Sequence, residues 1–308
     1  MPEFEVDVKE GRRRILWNSR FITAINQGAT RNYLYPVFTP SGQAVTDETP
    51  VDHPHHRSIW IAAELVNGYN FYVESTYGGR VPGAITETDV SWEQLGPSHL
   101  RMRQTLEWRG QPDFSDPVGR LLLVETRTTD VEPGPVANVI TVRSRLLPGA
   151  SLGATAVGPD RDGAKPVKDP SVVTIGPTKH SFFGVRLSDR LHVSQGGTIK
   201  DSEGRTNEGE IFDQTADWVD AHGPLAFGKT AGVGVLPDAS FDGSPWMVRD
   251  YGSLMISTMR LQQVTVSTDS PLDQSVRFVI HDGNHLDADI AGEFERFRSK
   301  GVSDDSTG

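Results

Sequence analysis

The chain contains no cysteine. Disulfide staples, thiolate metal sites and cysteine nucleophiles are therefore excluded. It also lacks a surplus of basic residues: 30 Lys and Arg stand against 41 Asp and Glu, a net charge of -11. Binding to phosphate backbones needs the reverse balance, which argues against a nucleic-acid partner. No apolar run approaches the roughly 20 residues that cross a bilayer. Met1 to Glu10 alternates acidic and apolar side chains, without the basic-then-apolar order of an export signal. The expectation is a cytoplasmic protein with no membrane partner.

What the chain does have is length and turn-formers. Its 308 residues can bury a sizeable core as one domain, and 31 Gly and 20 Pro suit many short strands. Most of the regular signal has period two. Leu100, Met102, Leu106 and Trp108 fall on one face of a strand, with Arg101, Arg103 and Glu107 on the other. Val276, Phe278 and Ile280 repeat the pattern. Val139 to Val142 and Leu121 to Val124 read as more buried strands. Turn pairs punctuate these runs at Gly96-Pro97, Gly134-Pro135, Pro148-Gly149, Gly196-Gly197 and Asp242-Gly243. Helical spacing is clear only at Leu286, Ile290, Phe294 and Phe297, which predicts a C-terminal helix near Leu286 to Lys300. The stretch 148–170, rich in Gly, Pro, Asp and Lys, reads as a long mobile loop. The tail 302–308 reads as flexible. The expected fold is mostly β: a single domain over 1–308 built as a large antiparallel β-sandwich with one C-terminal helix.

The densest chemistry lies in Asp52-His53-Pro54-His55-His56-Arg57. Histidine both gives and takes protons near neutral pH. Pro54 favours an extended His53, and an extended chain points His53 and His55 to one side and His56 to the other. Two chemistries fit. One is general acid–base catalysis. The other is a divalent metal held by His53, His55 and a third ligand from elsewhere. The spacing to Glu64 does not match the glutamate of jelly-roll metal enzymes. A surface loop of histidines satisfied by backbone carbonyls is the plainer alternative.

Further polar groupings recur downstream. Lys179 to Arg186 places His180 at a strand start. Asp201 to Glu208 is a turn of alternating charge that includes Glu203 and Arg205. Trp246 to Gly252 mixes aromatics with Arg249 and Asp250, and His281-Asp282-Gly283 follows a strand. Each also has a purely structural reading: Asp282-Gly283 is a turn signal by itself, and Arg249 and Asp250 form a structural pair. Trp60, Tyr69, Tyr72, Trp218 and Trp246 suit a core as well as a ligand platform. Aromatic rings beside Arg, Glu and His are nonetheless the make-up of a carbohydrate cleft, where rings stack on sugar faces and charged groups bind hydroxyls.

In this order, Tyr33 to Gly42, Asp52 to Arg57, Val66 to Gly68, Ser181 to Arg186, Glu203 to Arg205 with Asn207 to Glu210, Pro245 to Gly252 and His281 to Gly283 resemble the PmoA-like family of unknown function. The resemblance covers nearly the whole chain. It implies a galactose-mutarotase-like supersandwich, a carbohydrate ligand and a sugar dehydrogenase as a pathway partner; separately, no cofactor is expected unless the divalent metal considered above is bound. The residues it carries over are His53, His55, His56, Arg57, His180, Arg186, Glu203, Arg205, Asp250 and His281. Ser253-Leu254-Met255-Ile256 departs from the aromatic continuation expected after Gly252.

The leading expectation is an enzyme doing acid–base chemistry on a sugar or keto-sugar: elimination, hydration or cleavage of a keto-glycoside, or epimerisation. His53, His55, His180 and Glu203 are the expected catalytic groups. His56, Arg57, Arg186, Arg205, Trp246, Asp250 and His281 are the expected binding groups. The alternatives are a metal-dependent, oxygenase-like enzyme using His53 and His55, and a non-catalytic sugar-binding or partner subunit.

Overall fold

The structure is a computed structural model that describes residues 3–75, 82–112, 116–149, 171–225 and 228–300. Most of the loop expected over 148–170, and all of the tail 302–308, lie outside these residues.

The chain opens with β1 (Phe4–Lys9), β2 (Arg12–Trp17), β3 (Arg20–Gln27), β4 (Asn32–Val37) and β5 (Ile59–Ala63). Four long strands follow: β6 (Ala84–Gly96), β7 (His99–Arg109), β8 (Leu121–Pro133) and β9 (Ala137–Pro148). Then come β10 (Val172–Ile175), β11 (Ser181–Arg186), β12 (Thr198–Asp201), the short helix α1 (Asn207–Ile211), β13 (Val219–Pro224) and β14 (Thr230–Pro237). The chain closes with β15 (Trp246–Arg249), β16 (Ser253–Ile256), β17 (Val264–Ser267), β18 (Leu272–Asp282) and helix α2 (Ile290–Lys300).

Two eight-stranded antiparallel sheets result. The first runs β1-β2-β3-β4-β5-β11-β16-β15 and the second β12-β13-β14-β18-β9-β8-β7-β6; β10 and β17 form a separate pair. The apolar alternation dictates how they pack. Leu100, Met102, Leu106 and Trp108 of β7 meet Ile59, Ile61, Val185 and Leu254 of the first sheet in one continuous core. Burying two such faces against each other is what makes a sandwich. The expected mostly-β class, with large antiparallel sheets and a C-terminal helix, is thus observed.

The helix begins later than its apolar spacing predicted. Asn284 Oδ1 accepts the backbone N–H groups of Leu286 and Asp287, which holds a turn there, and Leu286 is exposed. Ile290, Phe294 and Phe297 do pack against Trp218, Leu236 and Val279, on the outer face of the second sheet.

The first sheet has an outer face too, and it forms the floor of the site. In register across five strands lie Tyr33 (β4), Trp60 (β5), Gly184 (β11), Met255 (β16) and Met247 (β15). Tyr33, Trp60, Met247 and Met255 cluster with Tyr72 and Val73, apart from the core between the sheets. Gly184 is required here: a Cβ on it would stand 2.6 Å from Cζ2 of Trp60. Trp60 is buried. The variant Gly184→Ala is expected to lose ~1–3 kcal/mol of stability through overpacking, read by urea denaturation.

Candidate functional site

The link from β4 to β5 carries the histidine cluster, and it is not extended. The backbone N–H of His56 donates to the carbonyl of His53 at 2.9 Å, and that of Thr49 donates to the carbonyl of His56 at 3.0 Å. This tight turn corrects the expectation that His56 points away from His53 and His55. All three rings converge, with centroids 4.7 Å apart for His53 and His56, 4.9 Å for His55 and His56, and 5.8 Å for His53 and His55. Ser58 and Leu65, at either end of β5, both take left-handed backbone conformations (φ 58° and 55°). Such strain outside glycine concentrates at functional sites.

His56 is buried on the Trp60 ring, 5.2 Å between centroids. Its Nδ1 lies 3.5 Å from Arg186 Nη1, and its Nε2 lies 2.8 Å from Tyr72 Oη. A guanidinium only donates, which assigns the proton to Nε2. His56 therefore donates to Tyr72 Oη and leaves the phenol hydrogen free to donate onward. Arg186 is in turn held by Asp52, whose oxygens accept from Nη2 at 2.8 and 2.9 Å. A directional chain of hydrogen bonds runs from Asp52 through Arg186 and His56 to Tyr72.

These groups surround a cavity of about 500 Å³. Its walls are His53, Pro54, His55, His56, Glu64, Tyr72, Val73, Glu74, Ser75, His180, Met247 and Tyr251. His180 Nδ1 stands 3.6 Å from Glu64 Oε2, and its ring stacks on Tyr72 at 5.1 Å. Glu64 is buried and accepts from Thr178 Oγ1 at 2.5 Å. His53 is sandwiched between His56 and Tyr251, and its Nδ1 lies 2.9 Å from Asp52 Oδ2. Glu74 accepts from Arg57 Nε at 2.8 Å and from Thr30.

The electrostatics favour neutral His55 and His56. Burial, reinforced by Arg31 and His53, depresses His55 to about 4. Burial and the neighbouring histidines and arginines depress His56 to about 2. Burial pushes the Tyr72 hydroxyl up, so it stays a phenol and a donor. Burial also opposes ionisation of Asp52, but its bonds from His53 and Arg186 prevail and bring it down to about 2. Arg31 is fully buried behind the cavity. Its Nε is 4.0 Å from Glu74, and burial lowers it to about 10, which leaves it charged.

A stability slope follows from these shifts. Between pH 6.5 and the depressed folded values, the unfolded chain binds protons that the folded chain excludes. Stability therefore falls as pH drops. His56 contributes about 1.4 kcal/mol per pH unit in this window, and the more exposed His55 contributes less because solvent screens it. His281, whose proton affinity is raised, works against this slope: its contribution is complete at low pH and is lost as pH rises through its folded value. Denaturation midpoints at pH 7 and pH 5 should differ accordingly, with a shallower slope in His56→Gln.

The structure thus brings His53, His55, His56 and His180 together. It does not bring the others to the same place. Glu203 and Arg205 border a separate cavity with Asp217, Asp242 and Arg298, and Arg205 pairs with Asp201. The convergence expected of Glu203 with the histidines does not occur. Trp246 points into the core between the sheets and donates through Nε1 to Ala216. Alternation on β15 places Met247, not Trp246, at the cavity. Asp250 accepts the backbone N–H of Glu208 at 2.8 Å, and it is the adjacent Tyr251 that reaches the wall. His281 pairs with Asp220 on the other sheet. Arg57 and Arg186 stand behind the cavity wall, holding Glu74 and Asp52.

Sequence reasoning missed Glu74 and Arg31, set Glu64 aside on its spacing as a metal ligand, passed over Tyr251 within Trp246 to Gly252, and weighed Tyr72 only as a generic aromatic. Glu64 had a findable signal: it directly follows the buried strand β5, whose other end abuts the histidine turn. Tyr251 lay in a grouping from which its neighbours Trp246 and Asp250 were chosen, and Glu74 and Arg31 arrive through pairings that leave no local pattern.

The chain belongs to a family of unknown function, DUF6807, matched over residues 10–295. Nothing in that match links it to PmoA in particular. No curated protein matches it in sequence. Among solved structures, it is similar to a variant GH36 alpha-galactosidase, AgaA, from Geobacillus stearothermophilus, in complex with raffinose. The likeness has a TM-score of 0.43 and 8% identity, and covers 96% of this chain but 43% of the other protein's length. A likeness at that level does not extend to function. No helix among the described residues is long and apolar enough to cross a membrane.

Proposed function

We propose that the cavity performs proton-transfer chemistry on a carbohydrate carrying a keto group. The observation that carries this reading is the pairing, in one cavity, of His180 backed by Glu64 at 3.6 Å with a Tyr72 phenol whose hydrogen is aimed onward by His56. His180 removes the proton from the carbon beside the ketone, and Glu64 stabilises the imidazolium that results. Tyr72 donates to the ketone oxygen as it becomes an enolate, the part an oxyanion-hole donor plays. The enolate electrons then expel the oxygen on the next carbon. His53 enters the step as the imidazolium, its Nδ1–H held by the Asp52 carboxylate, and gives its Nε2 proton to that leaving oxygen, ending neutral as His180 ends protonated. The product is an enone, open to hydration by the reverse path.

Several features support a sugar as the substrate. The volume suits a small ligand, and Tyr251, Tyr72, Met247 and Pro54 offer apolar surface beside hydrogen-bonding Glu64, Glu74 and His55. A net charge of -11 disfavours anionic substrates. An oxidation must supply the ketone, which makes a sugar dehydrogenase the expected pathway partner. The test is a panel of oxidised and unoxidised glycosides followed by ultraviolet absorbance. Enone should appear only from keto-glycosides. A panel in which none is converted contradicts the reading.

A further inference from the structure

A second cluster of ionisable groups lies on the outer face of the other sheet, and the chemistry above does not use it. Asp220 and His222 alternate on β13, so both side chains leave the sheet on the same side. His222 lies in register with Gly232 on β14, which in turn faces His281 on β18. Asp220 lies in register with Gly234. The two glycines clear a trough. A Cβ on Gly232 would meet His281 Cε1 at 2.6 Å and His222 Cβ at 2.7 Å, and one on Gly234 would meet Ile290 of α2 at 2.6 Å. Into this trough the β18–α2 connection brings His285, whose ring stacks on His222 with centroids 5.2 Å apart.

We propose that Asp220, His222 and His285 form a binding site for a divalent transition-metal ion of the zinc type. Each of the three offers a donor atom, and the three atoms lie within 4.8 Å of one another. Donors around a tetrahedral zinc ion stand about 3.3 Å apart, given bonds of ~2.0 Å, so Asp220 Oδ1 and His222 Nδ1, 2.6 Å apart as a hydrogen-bonded pair, would separate as the metal replaces the proton they share. Two imidazoles and one carboxylate, with no thiolate, are a donor set that zinc accepts and that hard ions such as Mg²⁺ do not favour.

Two independent features point to an ion. His285 Nδ1 is shielded from solvent and has no hydrogen-bond partner. Asp220 is fully buried, and its Oδ2 is already held by His281 Nε2 at 2.7 Å, while Oδ1 lies 2.6 Å from His222 Nδ1. His281 thus fixes the carboxylate from its other oxygen and leaves Oδ1 facing His222. Next to the cluster, a cavity of about 270 Å³ is lined by His285 with Trp218 and Asp289. Bound there, the ion ties the entrance of α2 to β13, and so fixes the helix on the sheet.

The test uses the full chain, stripped with chelator and dialysed. Zinc binding is followed by calorimetry, and Co²⁺ is added as a visible-absorbance probe of coordination. The expected result is one zinc per chain, intense low-coordinate Co²⁺ bands, and a melting temperature that rises with zinc concentration. His285→Ala should weaken zinc binding by about 100-fold or more and remove the Co²⁺ bands. His222→Ala serves as the second ligand variant, with folding of both checked by circular dichroism. His55→Ala, in the other cavity, should bind zinc as the parent does. The proposal is overturned if the parent binds no zinc, if both ligand variants bind it as the parent does, or if His55→Ala loses it. Because His55→Ala and His285→Ala report on different cavities, failure here leaves the keto-sugar reading standing, and the reverse holds too.

Discussion

His180→Ala should lower kcat on a keto-glycoside by roughly 10²–10⁴ while KM changes little. The ring it removes is partly exposed in an open cavity, and its ion-pair partner Glu64 keeps Thr178 and Asn70 as donors. Stability should therefore move by less than about 1 kcal/mol, which separates loss of a base from loss of the fold. Glu64→Gln removes the charge that steadies the imidazolium but leaves the base, so its loss should be smaller than that of His180→Ala. Glu203→Gln, in a different cavity, should leave turnover as it is. A His180→Ala variant with parental kcat would remove the base assignment. Steady-state kinetics beside urea denaturation reads all three.

Tyr72→Phe should cost about 10²–10³ in kcat, the typical loss when one oxyanion donor is removed. It should also cost ~1–3 kcal/mol of stability, because His56 Nε2–H would then be buried with no acceptor. The two losses have different origins and separate experimentally. His56→Gln keeps a side-chain amide able to donate toward Tyr72, so it should retain more activity than Tyr72→Phe. If Tyr72→Phe is as active as the parent, the hydrogen-bond chain from Asp52 to Tyr72 serves structure only.

Much of this fold could be read from the chain because period-two alternation is a direct consequence of strand geometry. Leu100 to Trp108 and Val276 to Ile280 needed only that rule. The start of α2 was misread by four residues because Leu286 continues the helical spacing while Asn284 holds the backbone in a turn. The histidine turn was located but its shape was not. Pro54 argued for an extended His53, whereas the bond from the His56 N–H to the His53 carbonyl folds the segment back. At the site, neighbours in sequence were found and neighbours across the sheet were not. Glu64 and Tyr251 come from the ends of different strands, and Arg31 precedes β4 by one residue. The assignment of Trp246 failed by one position, which on a strand is the difference between the core and the cavity.

The most direct test of the central claim is hydrogen exchange at the carbon beside the ketone. A keto-glycoside is incubated with the protein in deuterated water, and loss of that proton signal is followed by NMR. Exchange needs only a base and a donor to the carbonyl, so it reports His180 and Tyr72 even if the later bond cleavage is slow. The account predicts exchange with the parent protein, exchange reduced roughly 10²–10⁴-fold in His180→Ala, and unchanged exchange in His285→Ala. Absence of exchange with every keto-glycoside tried, or equal rates in the parent and His180→Ala, would contradict it.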